Sequence, residues 1–288
     1  MNIIFIFKAI FASMAVVFSA LFIKDLRKSH FMKGRANIVI SGLIGGIAYF
    51  LDTLGIGSFA TSTAMLRSFK QIQDKNLPGT LNVTSVLPLL LEAFIFIAII
   101  QVDIVTIVAM VTAACIGAWI VASIIHKVPE QRICFIISIF LFIAATVSIL
   151  KQLNIVPIDY AGAIGLTGIK LVIAVLASAI IGALGAVGIG SYAPFLALAL
   201  TLGLSARAMF PIMMSAAALG GGFASIKFIK TGNYDRKASL AMTIVALLGV
   251  VIAAYIVKTL PLNILTWIVI GVIYYTSITL FLSGYKKK

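Results

Sequence analysis

One seven-residue pattern occurs twice in this chain, as LGIGSFA at residues 54–60 and as VGIGSYA at 187–193, each time inside an apolar stretch. Gly57 corresponds to Gly190, 133 residues later, and Pro78 to Pro211 at the same offset. Asp103 to Asp235, Gly117 to Gly249 and Pro129 to Pro261 follow at 132, so a single one-residue gap keeps the register. The chain is therefore read as two copies of one unit within one integral membrane domain. Residues 1–150 hold the first repeat with an N-terminal and a connecting helix, and 151–288 hold the second with a C-terminal helix. Broken apolar helices at matching places in two halves point to a transporter's binding site.

Composition sets the class. Of 288 residues, 62% are hydrophobic and 10% charged, with a mean hydropathy of +1.19. Soluble domains carry about 25% charged residues. Continuous apolar runs of about 20 residues recur, the length of a membrane-crossing helix, and they do not alternate as barrel strands do. The fold class is all-α and polytopic. The net charge of +14 does not indicate nucleic acid, because Lys and Arg sit in short loops between the runs, as retention on the cytoplasmic face requires. Cys115 and Cys134 have no metal-ligand spacing and read as packing residues. His30 and His126 lie at loop edges, so no metal or cofactor is expected. The apolar run at 2–23 lacks a basic start and a cleavage site, and reads as a retained first helix.

The pattern predicts a helix over roughly 3–23, then a basic loop with Lys24, Arg27, Lys28, Lys33 and Arg35. A broken segment over 37–66 follows, then hairpin helices over 79–100 and 104–126, and a helix over 133–150. The second copy repeats this with a broken segment over 168–203, hairpin helices over 209–229 and 239–257, and a last helix over 263–283. The first hairpin turn, Gln101–Asp103, has no basic residue, whereas the second has Lys227, Lys230, Arg236 and Lys237 around Asp235. The positive-inside rule puts the first turn outside and the second inside. The repeats are then inverted, each crosses an odd number of times, and each broken segment enters and leaves on one side as a re-entrant pair. The N-terminus falls outside and the C-terminus in the cytoplasm.

Glycine inside a helix costs about 1 kcal/mol relative to alanine. Two of them in Gly55-Ile56-Gly57, and again in Gly188-Ile189-Gly190, need a reason. They let the chain turn, and Ser58 or Ser191 suits the N-cap of the next half-helix. That end presents amides and a positive dipole, which favour an anion. Two such ends meeting from opposite sides would form a midplane site. Gly45-Gly46 and Gly220-Gly221-Gly222 read as close-packing residues. At the hairpin starts, Pro78 and Pro211 suit a first helical turn, and Asn82 and Ser215 are candidate site residues. Asp52, three residues before Gly55, is the candidate for proton coupling, since a lone anion at membrane depth costs several kcal/mol. Glu92, in LLLEAFIFIAII, is expected to pair with Lys170 or Lys227.

These breaks, the Pro near each hairpin start and the small residues around Gly117 and Gly249 resemble the TauE/SafE sulfite exporter family (toluene-sulfonate-uptake-permease type). The resemblance covers roughly 40–260. Pro194, four residues after Gly190, keeps the family pattern, while Ser58 and Ser191 replace a third Gly and Thr61 stands where Pro would fall. The resemblance implies a secondary transporter of sulfite, thiosulfate, sulfoacetate or related organosulfonates in the cytoplasmic membrane of a bacterium. Its substrate-binding residues would be Gly55, Gly57, Ser58, Asn82, Gly188, Gly190, Ser191 and Ser215. The partners are a small anion and the lipid bilayer, and no enzymatic activity is expected. An anion channel, or a carrier of another small organic anion, is the alternative.

Overall fold

The computed structural model describes residues 3–28, 36–73, 76–124, 162–187, 191–259 and 261–285, with scattered positions between 135 and 153. Among the described residues 86% are helical and none forms a strand. The helices are α1 (Ile3–Lys28), α2 (Ile38–Thr53), α3 (Ser58–Ser68), α4 (Leu77–Ile99) and α5 (Ile104–Ile124). After the expected helix over 133–150, of which only scattered residues are described, come α6 (Gly168–Val187), α7 (Tyr192–Leu202), α8 (Ala206–Thr231), α9 (Arg236–Thr259) and α10 (Leu262–Tyr285). Among the described residues, five helices are long and apolar enough to cross a membrane: Phe5–Arg27, Gly79–Ile99, Gly168–Gly185, Ala206–Thr231 and Arg236–Ile256. Most of the apolar length of α6 is not buried within the protein. Ile169, Leu176 and Ile180 are exposed along it. Water does not tolerate apolar faces of this extent, and lipid is the solvent that suits them. The chain is a multi-pass membrane protein.

Two boundaries differ from the sequence pattern. The first helix does not stop at the basic residues but runs through Lys24, Asp25 and Arg27 to Lys28. Its end is held by Asp25, whose Oδ2 accepts from the Tyr234 hydroxyl at 2.5 Å and from Arg236 Nε at 2.8 Å. Burial first, and then this carboxylate, raise the Tyr234 phenol above its ordinary range, so it remains a donor. Pro211 lies inside α8 rather than in its first turn, because the helix already starts at Ala206. Ser205 Oγ caps that start by accepting from Ala208 N at 3.0 Å. The ring then withdraws one N–H from the α8 ladder. Pro78 does fall in the first turn of α4.

The corresponding acids of the two hairpins do the same work. Asp103 Oδ2 accepts from Thr106 N at 2.9 Å at the start of α5. Asp235 Oδ1 accepts from Ala238 N at 2.9 Å at the start of α9. Each is an N-cap bonded to the amide three residues on, worth about 1 kcal/mol.

The chain divides into two compact units, Met1–Ile99 with Met214–Lys258, and Ile100–Met213 with Thr259–Lys288. Neither unit is one of the two sequence copies. In the first, α2 of the first copy packs on α9 of the second, and a Cβ on Gly249 would run into the Gly46 carbonyl oxygen. Gly45 faces the Met242 backbone at the same crossing. In the second, α6 of the second copy packs on α5 of the first, and a Cβ on Gly117 would run into the Ala179 carbonyl oxygen. The two contacts correspond residue by residue, since Gly249 stands 132 after Gly117 and Ala179 stands 133 after Gly46. Backbone-to-backbone approach of this kind is how membrane helices gain packing energy without a hydrophobic drive.

Both broken segments double back. The Asn37 N–H, at the start of α2, donates to Gln71 Oε1 at 2.8 Å, just beyond the end of α3. Asn37 Oδ1 meanwhile caps α2 through Val39 N at 2.9 Å. In the other unit the Ser205 N–H, just beyond α7, donates to the Ala163 carbonyl at 2.9 Å, ahead of α6. Each 11-residue second arm is about 16 Å long, half of a bilayer's hydrocarbon thickness.

Gly117→Ala and Gly249→Ala should each destabilise the protein by about 1–3 kcal/mol through overpacking. Gly271→Ala, where a Cβ meets nothing within 4 Å, should be neutral or slightly stabilising. Thermal unfolding of the three variants in detergent, followed by size-exclusion fluorescence, checks the contrast.

Candidate functional site

The first break is built from four residues between α2 and α3. Gly55 N donates to Asp52 O at 2.7 Å, and Ile56 N donates to Leu51 O at 3.0 Å. This is a Schellman ending, with Gly55 as the left-handed residue at φ 94. Gly57 follows at φ 91 and ψ 131, the N-cap position of α3. Nothing lies within 4 Å of a Cβ built there, so Gly57 is required by its backbone angle and not by crowding. Ser58, expected at the N-cap, is instead the first residue of α3, and its side chain caps nothing. The reason is local: two positive-φ residues complete the reversal, and Gly57 supplies the non-helical cap conformation.

The acceptor at the α3 end is Asp52. Its Oδ1 accepts the Ser58 N–H, one turn back across the break. A carboxylate at a helix N-terminus meets both an orphan donor and the positive dipole end. Asp52 is 2% exposed, so this pairing takes place away from water. The carboxyl group expected to carry a proton thus sits at the helix end where the sequence argument placed the substrate.

A buried polar core surrounds this break within the same unit. The Tyr49 hydroxyl interacts with the side chains of Ser58 and Ser85 and lies in the field of Asp52 and Glu92. Thr53 Oγ1 is 2.8 Å from the Tyr49 carbonyl oxygen and 2.8 Å from Glu92 Oε1. The Asn82 backbone carbonyl accepts from Ser85 Oγ at 2.7 Å and from Ser225 Oγ at 2.8 Å, tying α4 to α8. Ser215, on α8, is fully buried. Gly55, Gly57, Ser58, Asp52, Asn82 and Ser215 therefore all belong to the first unit. The geometry joins Asp52 directly to Ser58, and Ser58 through Tyr49 to the α4 face that bears Ser85.

Gly188 and Gly190 lie outside the described residues. Ser191 belongs to the second unit and is the N-cap of α7, at φ −109 and ψ −16, with no side-chain cap bond. Its carbonyl accepts from Phe195 N at 3.0 Å. The residue that corresponds to Asp52 at an offset of 133 is Gly185. A Cβ there would stand 3.4 Å from Ser191 Cβ and 3.5 Å from Ser191 Oγ. The six-residue reach is thus the same in both breaks, but only the first has a carboxylate to use it.

Sequence reasoning missed Tyr49 and Thr53 as members of this core, while Ser85 falls in the polar turn with Asn82 and Thr84 that the sequence marks as able to line a cavity. The available signal was spacing: Tyr49 and Thr53 are one turn apart with Asp52 beside them, three polar groups within five residues of a mostly apolar helix. Glu92 accepts from Thr53 Oγ1 at 2.8 Å, a contact that sequence reasoning did not anticipate. Lys227 is exposed at the far end of α8. No protein-family model, curated protein or solved structure matches this chain.

Asp52→Ala should destabilise the protein by about 1 kcal/mol or more, the usual cost of losing a cap. Asp52→Asn keeps an acceptor oxygen and should lose less than half of that. Gly57→Ala should cost about 1–3 kcal/mol through backbone strain alone. Melting temperatures of the three variants in detergent decide, and equal losses for Asn and Ala would remove the capping role.

Proposed function

We propose that this protein is a secondary transporter of small anions that works by alternating access. Sulfite, thiosulfate, sulfoacetate and related organosulfonates are the substrates to which the family resemblance points. The membrane is the bacterial cytoplasmic membrane, with the C-terminus on the cytoplasmic side. The two repeats are inverted, and the two broken segments are re-entrant. What supports re-entrance is the return of each second arm to the start of its first, through Asn37 with Gln71 and Ala163 with Ser205.

The observation that carries the anion reading is the bond from Ser58 N to the Asp52 carboxylate. It is a half-helix N-terminus that takes a negative group inside an apolar segment. In the second copy Gly185 cannot fill that place. The α7 end at Ser191 is therefore the end proposed for a diffusible anion, and the α3 end is its internally neutralised counterpart. An amide cluster with a positive dipole end suits a tetrahedral or pyramidal oxyanion better than a cation.

The test is exchange of labelled sulfite in proteoliposomes preloaded with unlabelled sulfite, with thiosulfate and sulfoacetate as competitors. The proposal expects saturable exchange, suppressed by at least one competitor, and an affinity weakened at least tenfold by Ser191→Leu. Flux without saturation would make the protein a channel. Exchange of no sulfur anion would overturn the substrate class, and unchanged affinity in Ser191→Leu would overturn the site.

A further inference from the structure

Four hydroxyls line the contact of α4 with α9 in the first unit. Thr80 and Thr84 lie one turn apart on α4, and Ser239 and Thr243 one turn apart on α9. All four are buried, Thr84 and Ser239 completely. The positions that correspond to them at offsets of 133 and 132 are Met213, Ala217, Ile107 and Val111. Each of those is apolar, so the repeat's packing alone does not call for hydroxyls here. Two hydrogen bonds fix the register of the pair. The Asp235 N–H donates to Thr80 Oγ1 at 2.9 Å, and Thr243 Oγ1 donates to the Thr84 carbonyl oxygen at 3.3 Å. Both helices therefore run in the same direction. Ser239 is one turn past Asp235 and one turn before Thr243, and residues one turn apart share a helix face. Ser239 thus faces α4 at the level between Thr80 and Thr84.

A hydroxyl inside a helix commonly donates to the carbonyl four residues back. Thr53, Thr80, Thr201 and Ser225 all do so in this chain, at 2.7–2.8 Å. Thr84 Oγ1 and Ser239 Oγ do not, and neither has a hydrogen-bond partner among the described residues. A buried hydroxyl left in that way bears its full desolvation cost. Two such groups on one shared contact between two helices point to a common guest.

We infer that one water molecule is bound between α4 and α9, held by Thr84 Oγ1 and Ser239 Oγ. Two polar partners suffice for a buried water, and each hydroxyl can donate to it or accept from it. Two neutral hydroxyls are too few to hold a buried ion of either sign. A cation is disfavoured further, because Ser239 is the fourth residue of α9, at the positive end of its dipole. The Asp235 carboxylate nearby already accepts from Ala238 N at 2.9 Å through Oδ1. The water satisfies both hydroxyls at once and joins the start of α9 to α4, one turn beyond the Asp235–Thr80 bond. The site is independent of what the protein carries.

Solid-state NMR of the full chain in lipid bilayers, with isotope-labelled threonine and serine, reads magnetisation passed from water to these side chains. Thr84→Val and Ser239→Ala assign the two signals. Both should take up water magnetisation faster than Ser225, a buried serine whose hydroxyl is spent on two carbonyl oxygens. Ser239→Ala should abolish the transfer to Thr84. Transfer no faster than to Ser225, or transfer to Thr84 that persists in Ser239→Ala, would overturn the site. Stability gives a second reading. Thr84→Val and Ser239→Ala should each lower the melting temperature in detergent by a few degrees, since each strands the other hydroxyl. The double variant leaves neither hydroxyl to satisfy and should lose less than the sum of the two. Strictly additive losses would overturn the shared water.

Discussion

A helix that stops inside an apolar medium leaves four amide hydrogens or four carbonyls without partners, and each unsatisfied group costs several kcal/mol there. The architecture of the first unit follows from meeting that demand. Gly55 returns the α2 carbonyls to the backbone through the Leu51 and Asp52 bonds. Asp52 then takes an α3 amide across the break. Once both ends are satisfied, the chain can reverse within four residues, and Gln71 comes back to Asn37. The polar groups gathered at the reversal, Tyr49, Thr53, Ser58, Ser85 and Glu92, satisfy one another on the faces of α2, α3 and α4.

The second constraint is close approach. Gly46 with Gly249, and Ala179 with Gly117, bring two helix backbones together at equivalent crossings in the two units. Each crossing joins a helix of one sequence copy to a helix of the other. The copies are therefore interleaved, which is why the compact units cut across the repeat boundary. The cap pairs Asp103–Thr106 and Asp235–Ala238 carry the same repeat into the hairpins.

Much of this was legible in the sequence. The apolar runs placed the helices, the Gly-x-Gly-Ser pair placed the breaks, and the offsets of 132 and 133 predicted which glycines and aspartates would do equivalent work. Four things were hidden. The capping role of Asp52 depends on a reach of six residues across a turn, which no local pattern encodes. Ser58 resembles an N-cap in composition, yet Gly57 takes that position because the reversal needs a second positive φ. The contact of Glu92 with Thr53 spans 39 residues and two helices, which charge matching along the sequence does not reveal. The start of α8 before Pro211 was hidden as well, since proline favours first turns and Ser205 supplied the real cap.

The central claim is that the two halves are inverted copies whose broken segments turn back within the membrane. The most direct measurement is the sidedness of the two hairpin turns. With Cys115 and Cys134 replaced, single cysteines at Gln101 and Asn233, both exposed, are labelled in intact cells with a membrane-impermeant thiol reagent. Inverted repeats predict that the cysteine at 101 reacts from outside and the one at 233 reacts only after permeabilisation. Labelling of both from the same side would contradict the inversion, and with it the re-entrant reading of the breaks.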